Sequence, residues 1–228
     1  MGVRIKAITF DVFSALFDWE SSLRPVVKSY LSKLSPTTDV ALFLKTWREK
    51  QLSYAQIDTI LGKEHTSFLV LTEAALRYTF KKFGITCEVE KIERLTNSWC
   101  SLTPYPDAEM SLKEIKKRGY KIAVLSNGDR AMLEDLTRNI PLRFDAIFSA
   151  QDAGVYKPNP RIYKMAEDEL GLERFSILHV AGSTTDAIGS KTFGMETALI
   201  NRTGAQLEEF GPKPDYIFRS IEELLKIV

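Results

Sequence analysis

Residues 4–18 read RIKAITFDVFSALFD, and the fold turns on how this stretch is interpreted. Residues 4–10 are β-rich and end at an acid, Asp11, the pattern of a buried strand running into a loop. After Trp19 the texture changes. Residues 20–34, 40–60, 67–83 and 89–99 carry apolar side chains at helical spacing, punctuated by Pro36 and Gly84. Beyond residue 100 alternation begins, with helices expected over 108–118, 131–139, 161–170 and 186–193. Strands are expected over 121–125, 146–149, 177–181 and 196–200, with a short one at 215–218 before a closing helix at 221–226. Short apolar strands alternating with helices predict a parallel sheet covered on both faces. The expected fold is therefore α/β, with a core formed by residues 1–16 and 101–228 and an all-helical cap domain, 17–100, inserted after the first strand. Ligands of open α/β sheets bind beyond the carboxyl ends of the strands, so such an insert would overhang the binding crevice.

The bulk composition narrows the function. With 228 residues, 44% of them hydrophobic, the chain can bury a sizeable core. Lys and Arg total 31 against 30 for Asp and Glu, a net charge of +1, which provides no global field for nucleic acid or anionic lipid. Lys81-Lys82 and Lys116-Lys117-Arg118 read as solvated helix faces. No apolar run approaches the roughly 20 residues that span a bilayer and no signal peptide is evident, so a cytoplasmic protein without a membrane partner is expected. Cys87 and Cys100 lack metal or redox spacing and read as ordinary thiols, with a bridge between them left open. His65 and His179 have no ligand cluster around them, so no metal site is expected; His179 reads as a core or supporting group.

Chemistry-bearing residues fall at the strand ends. Asp11 follows the first strand, Ser126-Asn127-Gly128 the second, Lys157 lies in VYKPNP (155–160), and Asp186 comes just past ILHVA (177–181). Helix capping accounts for any one of these acids or hydroxyls. It does not account for the lysine, nor for all four in this order.

That order resembles the haloacid dehalogenase superfamily, and within it the L-2-haloacid dehalogenase branch, over nearly the whole chain. In this branch an aromatic stands two residues after the aspartate, here Phe13, where superfamily phosphatases carry a second acid. WREKQLSY (47–54) is similar to the segment bearing the halide-binding arginine, which would be Arg48. Phe68, ahead of TEAALR (72–77), matches a wall of the substrate pocket, and YKPNPRIY (156–163) matches the lysine and a following substrate-binding tyrosine, Lys157 and Tyr163. The resemblance implies a Rossmann-like core, a small 2-haloacid substrate, halide as product and no cofactor. It implies Asp11 as nucleophile, with Lys157, Asp186 and Ser183 as further catalytic groups. Ser126 and the amides near Asn127 would hold the substrate carboxylate, beside Phe13, while Arg48 with Asn127 would receive the halide. Lys157 would keep Asp11 ionised. Trp19, Trp47 and Trp99 would pack the insert or a subunit contact, and a homodimer is suggested.

The chain departs from the branch at three places. Gly-Thr is here Ser14-Ala15, Ser-Ser-Asn is Ala181-Gly182-Ser183, and a tryptophan beside the last aspartate is Thr185. The alternatives left open are a magnesium-dependent phosphatase, for which the acid expected at Gly182 is missing, a weakened ester hydrolase, or a binding descendant.

Overall fold

In the computed structural model, which describes residues 5–228, the opening strand β1 (Ala7–Phe10) is buried at every position. The first four residues, where the expected strand begins, lie outside the described residues. A fully apolar strand suits the middle of a sheet covered on both faces. β2 (Phe17–Asp18) and β3 (Thr103–Pro104) pair antiparallel as a separate ribbon. β1 pairs in parallel with β4 (Lys121–Ser126) on one side and β6 (Ile177–Ala181) on the other. β5 (Ala146–Ser149), β7 (Glu196–Ile200) and β8 (Tyr216–Phe218) complete a six-stranded parallel sheet of order β5-β4-β1-β6-β7-β8. Both neighbours of β1 come from later in the chain, so strand order reverses there. Asp11 stands at this reversal, where parallel sheets open a crevice.

Between β2 and β3 the chain forms α1 (Trp19–Leu34), α2 (Val40–Leu61), α3 (Phe68–Lys82) and α4 (Val89–Asn97), with a 3₁₀ turn over Ser98–Ser101. Each helix after the first starts within eight residues of the end of the one before. Asp39 accepts from the amides of Ala41 and Leu42 to start α2, and Gly62, at φ +61°, ends it. That left-handed conformation suits glycine. The interior is aromatic: Trp99 stacks on Trp19 at 5.8 Å and meets Trp47 edge-on at 5.7 Å. The three tryptophans therefore pack against one another and onto Phe13, 5.6 Å from Trp99.

The remaining helices, α5 (Ala108–Lys117), α6 (Arg130–Thr137), α7 (Ala150–Ala153), α8 (Pro160–Leu170) and α9 (Thr184–Phe193), fill the connections of the parallel sheet. One difference from expectation has a local cause: the β2–β3 ribbon is two residues per strand, too short to show alternation. The closing helix falls at Ile221–Lys226, as expected, and is 3₁₀. Cys87 and Cys100 are free thiols. Among the described residues no helix is long and apolar enough to cross a membrane.

Candidate active site

The connections beyond the carboxyl ends of β1, β4, β5 and β6 deliver the site, with Lys157 past α7 and Asp186 in the first turn of α9. Asp11 is tied to the sheet by its amide, which donates to the Val180 carbonyl at 2.9 Å. The chain then turns sharply: Leu16 and Phe17 both donate to the Val12 carbonyl, and Ser14 adopts φ +73°. A left-handed serine is disfavoured relative to glycine; here its hydroxyl accepts from Trp19 Nε1 at 3.0 Å. Arg202, paired with Asp107, donates to the Ala15 carbonyl at 3.0 Å and braces the same loop.

Ser126, the last residue of β4, donates its hydroxyl to Asp11 Oδ1 at 3.1 Å. Lys157 Nζ reaches the same oxygen at 3.4 Å and Asp186 Oδ2 at 2.7 Å. All four side chains are buried. Asp186 lies in the first turn of α9, with Ser183 as N-cap: the Ser183 hydroxyl accepts from the Asp186 amide at 3.3 Å. Tyr163 donates to Asp186 Oδ1 at 2.8 Å, and His179, inside β6, contacts Oδ2 through Nε2 at 3.0 Å.

The two carboxyls are driven apart. Burial pushes the Asp11 pKa above its ordinary value, with Asp186 adding to the rise, and this outweighs the lowering by Lys157, Arg48 and His179. Asp186 is also penalised by burial, but His179 and Lys157, through charge and hydrogen bonds, hold it well below the usual carboxylate range. Lys157, expected to keep Asp11 ionised, does lower its pKa, but burial outweighs that lowering. The ammonium sits closer to Asp186, and desolvation acts on Asp11 against it.

The cap contributes the opposite wall. Arg48 on α2 donates to Gln51 Oε1 at 2.6 Å, and its guanidinium lies 5.3 Å from the Phe13 ring centre and 5.4 Å from that of Trp99. Burial lowers its pKa to about 10, with Asp11 opposing the change, so it is cationic at neutral pH. Gln51 continues through Thr72 to the Phe68 carbonyl. Asp11, Phe13, Arg48, Leu52, Gln56, Asn127, Lys157, Ser183, Thr185 and Asp186 enclose a cavity of about 40 Å³. Asn127 Oδ1 accepts from the Lys157 amide at 2.8 Å.

Three residues expected on substrate, Tyr163, Ser126 and Phe68, are not among those lining this cavity. Tyr163 is fully buried behind Asp186 and holds that carboxylate; Ser126 is fully buried and holds the nucleophile. Phe68 stacks on Phe13 at 5.3 Å and supports the wall from behind. His179, expected as a core or supporting group, is buried in β6 and contacts Asp186, a partner the sequence did not indicate; Arg202 escaped the reading altogether. A histidine in an apolar strand and an arginine near residue 200 carry no spacing signal, because their partners lie 7 and more than 90 residues away.

Gly182 excludes any side chain. An added Cβ would run into the Phe13 carbonyl oxygen and come within 2.7 Å of the Ala15 nitrogen and 2.9 Å of Asp11 Oδ2. An acid at this position, as the superfamily phosphatases carry it, has no room. Among the described residues no three His, Cys, Asp or Glu side chains converge as a metal-holding group.

A family model described as haloacid dehalogenase-like hydrolase matches residues 5–194. The chain is 33% identical to (S)-2-haloacid dehalogenase of Pseudomonas sp. (strain YL), over 98% of this chain and 94% of that one. It is 31% identical to haloacetate dehalogenase H-2 of Moraxella sp. (strain B), over 99% and 98%. Among solved structures, L-2-haloacid dehalogenase from Xanthobacter autotrophicus with chloropropionic acid covalently bound superimposes with a TM-score of 0.86 at 28% identity, covering 98% of each chain.

Proposed function

Because the chain belongs to the haloacid dehalogenase-like hydrolases, we propose that it hydrolyses L-2-haloalkanoic acids to D-2-hydroxy acids through an ester on Asp11. The observation that carries this reading is a buried carboxylate with, among the described residues, two donors on one oxygen and none on the other. Ser126 and Lys157 both address Oδ1, while Oδ2 lies against the bare face of Gly182. Oδ2 attacks C2 of the substrate in line, the carbon–halogen bond breaks, and the halide departs with the electron pair. Configuration at C2 inverts.

Water then adds to Cγ of the ester. Oδ1 is now the carbonyl oxygen, and the same two donors stabilise the oxyanion that forms on it. The 2-hydroxy acid leaves, Asp11 is restored, and the turnover releases one proton and one halide. Asp186, carrying three donors, is a weak proton acceptor at neutral pH and serves as the fixed counter-charge of Lys157. Arg48, the cation of the cap wall, receives the halide together with the free amide of Asn127. Residues 17–100 act as the cap. With roughly 10–15 Å³ needed per water-sized group, the closed cavity holds only a few of them, so substrate entry requires the cap to lift.

The reading is tested with L-2-chloropropionate and, separately, p-nitrophenyl phosphate with magnesium. Chloride release unaffected by EDTA, with D-lactate as product, is the expected result. Magnesium-dependent nitrophenol release without chloride release would contradict it.

A further inference from the structure

His179 is fully buried, yet the reaction as described gives it no step. Both ring nitrogens are engaged. Nδ1 lies 2.9 Å from Thr9 Oγ1 in β1, and Nε2 lies 3.0 Å from Asp186 Oδ2 and 3.5 Å from Lys157 Nζ. An unprotonated Nε2 would set its lone pair against a carboxylate oxygen, so Nε2 carries the proton and donates it. The Thr9 hydroxyl then serves Nδ1, and because a hydroxyl both donates and accepts, it holds the ring in this orientation. Further charged and titratable groups lie around the ring: Tyr163 of α8 edge-on at 5.8 Å, with Asp11 and Arg48 beyond Lys157.

We propose that His179 is a positioning residue: by donating to Asp186 Oδ2 it partly satisfies that carboxylate, so that the Lys157 ammonium stays shared with Asp11. The physical basis is competition for one cation. Lys157 is already nearer Asp186 than Asp11, at 2.7 against 3.4 Å. Remove the imidazole donor and Oδ2 draws the ammonium closer still. Asp11 then faces its burial with less compensation and holds its proton to higher pH. The nucleophile is thus tuned from two residues away, through a carboxylate that never meets the substrate carbon.

The inference rests on the dehalogenase reading, and the test separates the two. Halide release by the unaltered protein examines the reaction; the pH dependence of kcat/KM in His179→Phe and His179→Gln examines the residue. Phenylalanine keeps the ring volume and loses the donor, whereas glutamine retains an N–H for Asp186 and an acceptor for Thr9. The expected result is an acid limb moved up by about 0.5–1 pH unit in His179→Phe, a three- to tenfold loss below the limb, and its return in His179→Gln. A folded His179→Phe protein with an unmoved limb, or a glutamine variant shifted as far, overturns the proposal. If circular dichroism shows the phenylalanine variant unfolded, Thr9→Val decides: a smaller upward shift supports the role and an unchanged limb refutes it. The same shifts are read without turnover from the ¹³Cγ resonance of Asp11 during acid titration, so an inactive parent protein does not leave the matter open.

Discussion

In the proposed reaction Asp11 pairs a demand with a penalty: as nucleophile it must be anionic, and its surroundings disfavour the anion. Its raised pKa means that kcat/KM falls on acidification at a pH above 3.8, the ordinary aspartate value, rather than at it. Asp186 is shifted the opposite way and stays charged throughout. The stability signs are opposite too. A carboxyl held low contributes stability at neutral pH that is lost as pH falls through its folded value; one held high works against the fold once it ionises. Lys157→Met should therefore leave two buried carboxyls without their cation, lowering stability by about 3–5 kcal/mol and moving the acid limb upward. Urea unfolding and the pH profile read both effects; an unshifted limb would show that Lys157 does not govern Asp11. At this scale the sequence reading named Asp11, Lys157 and Asp186, which the structure brings together, because they follow strands in a recognisable order. It missed what Tyr163, Ser126 and His179 touch, since strand position says nothing of which oxygen a side chain will address.

Elements decide how cap and core meet. Asp129, just after β4, does not cap its own helix; its carboxylate accepts from the amides of Phe68 and Leu69 at 2.8 and 3.0 Å. A core loop thus caps the first turn of α3 and seats Phe68 against Phe13. Asp129→Ala should cost about 0.5–2 kcal/mol in urea unfolding, as for other lost helix caps, and raise KM more than it lowers kcat; Asp129→Asn, which keeps one acceptor, should lose less. Unchanged KM in the alanine variant would separate this contact from catalysis. Helical periodicity made α1–α4 legible over their whole length, and apolar runs marked every strand of the large sheet. The β2–β3 ribbon and the cap made by Asp129 were not legible, because one has no repeat and the other joins residues about 60 positions apart.

For the whole molecule, the parallel sheet and its insert form one device. The sheet brings Asp11, Ser126, Lys157 and Asp186 to a single edge, and the helical block closes Arg48 and its aromatic surround over them. The α/β architecture followed from the switch between helical and alternating texture near residue 100; the closeness of the closed site, set by side-chain packing across that boundary, did not. Nothing in this arrangement depends on the near-zero net charge, which fits a site that handles one small anion through local cations rather than a global field. The central claim is that the oxygen delivered to product comes from the protein. One turnover of L-2-chloropropionate by excess enzyme in H₂¹⁸O, followed by mass spectrometry of lactate and of the peptide containing Asp11, tests it directly. The account predicts unlabelled lactate and one ¹⁸O in the Asp11 carboxylate; label in the lactate with none in the peptide would contradict it.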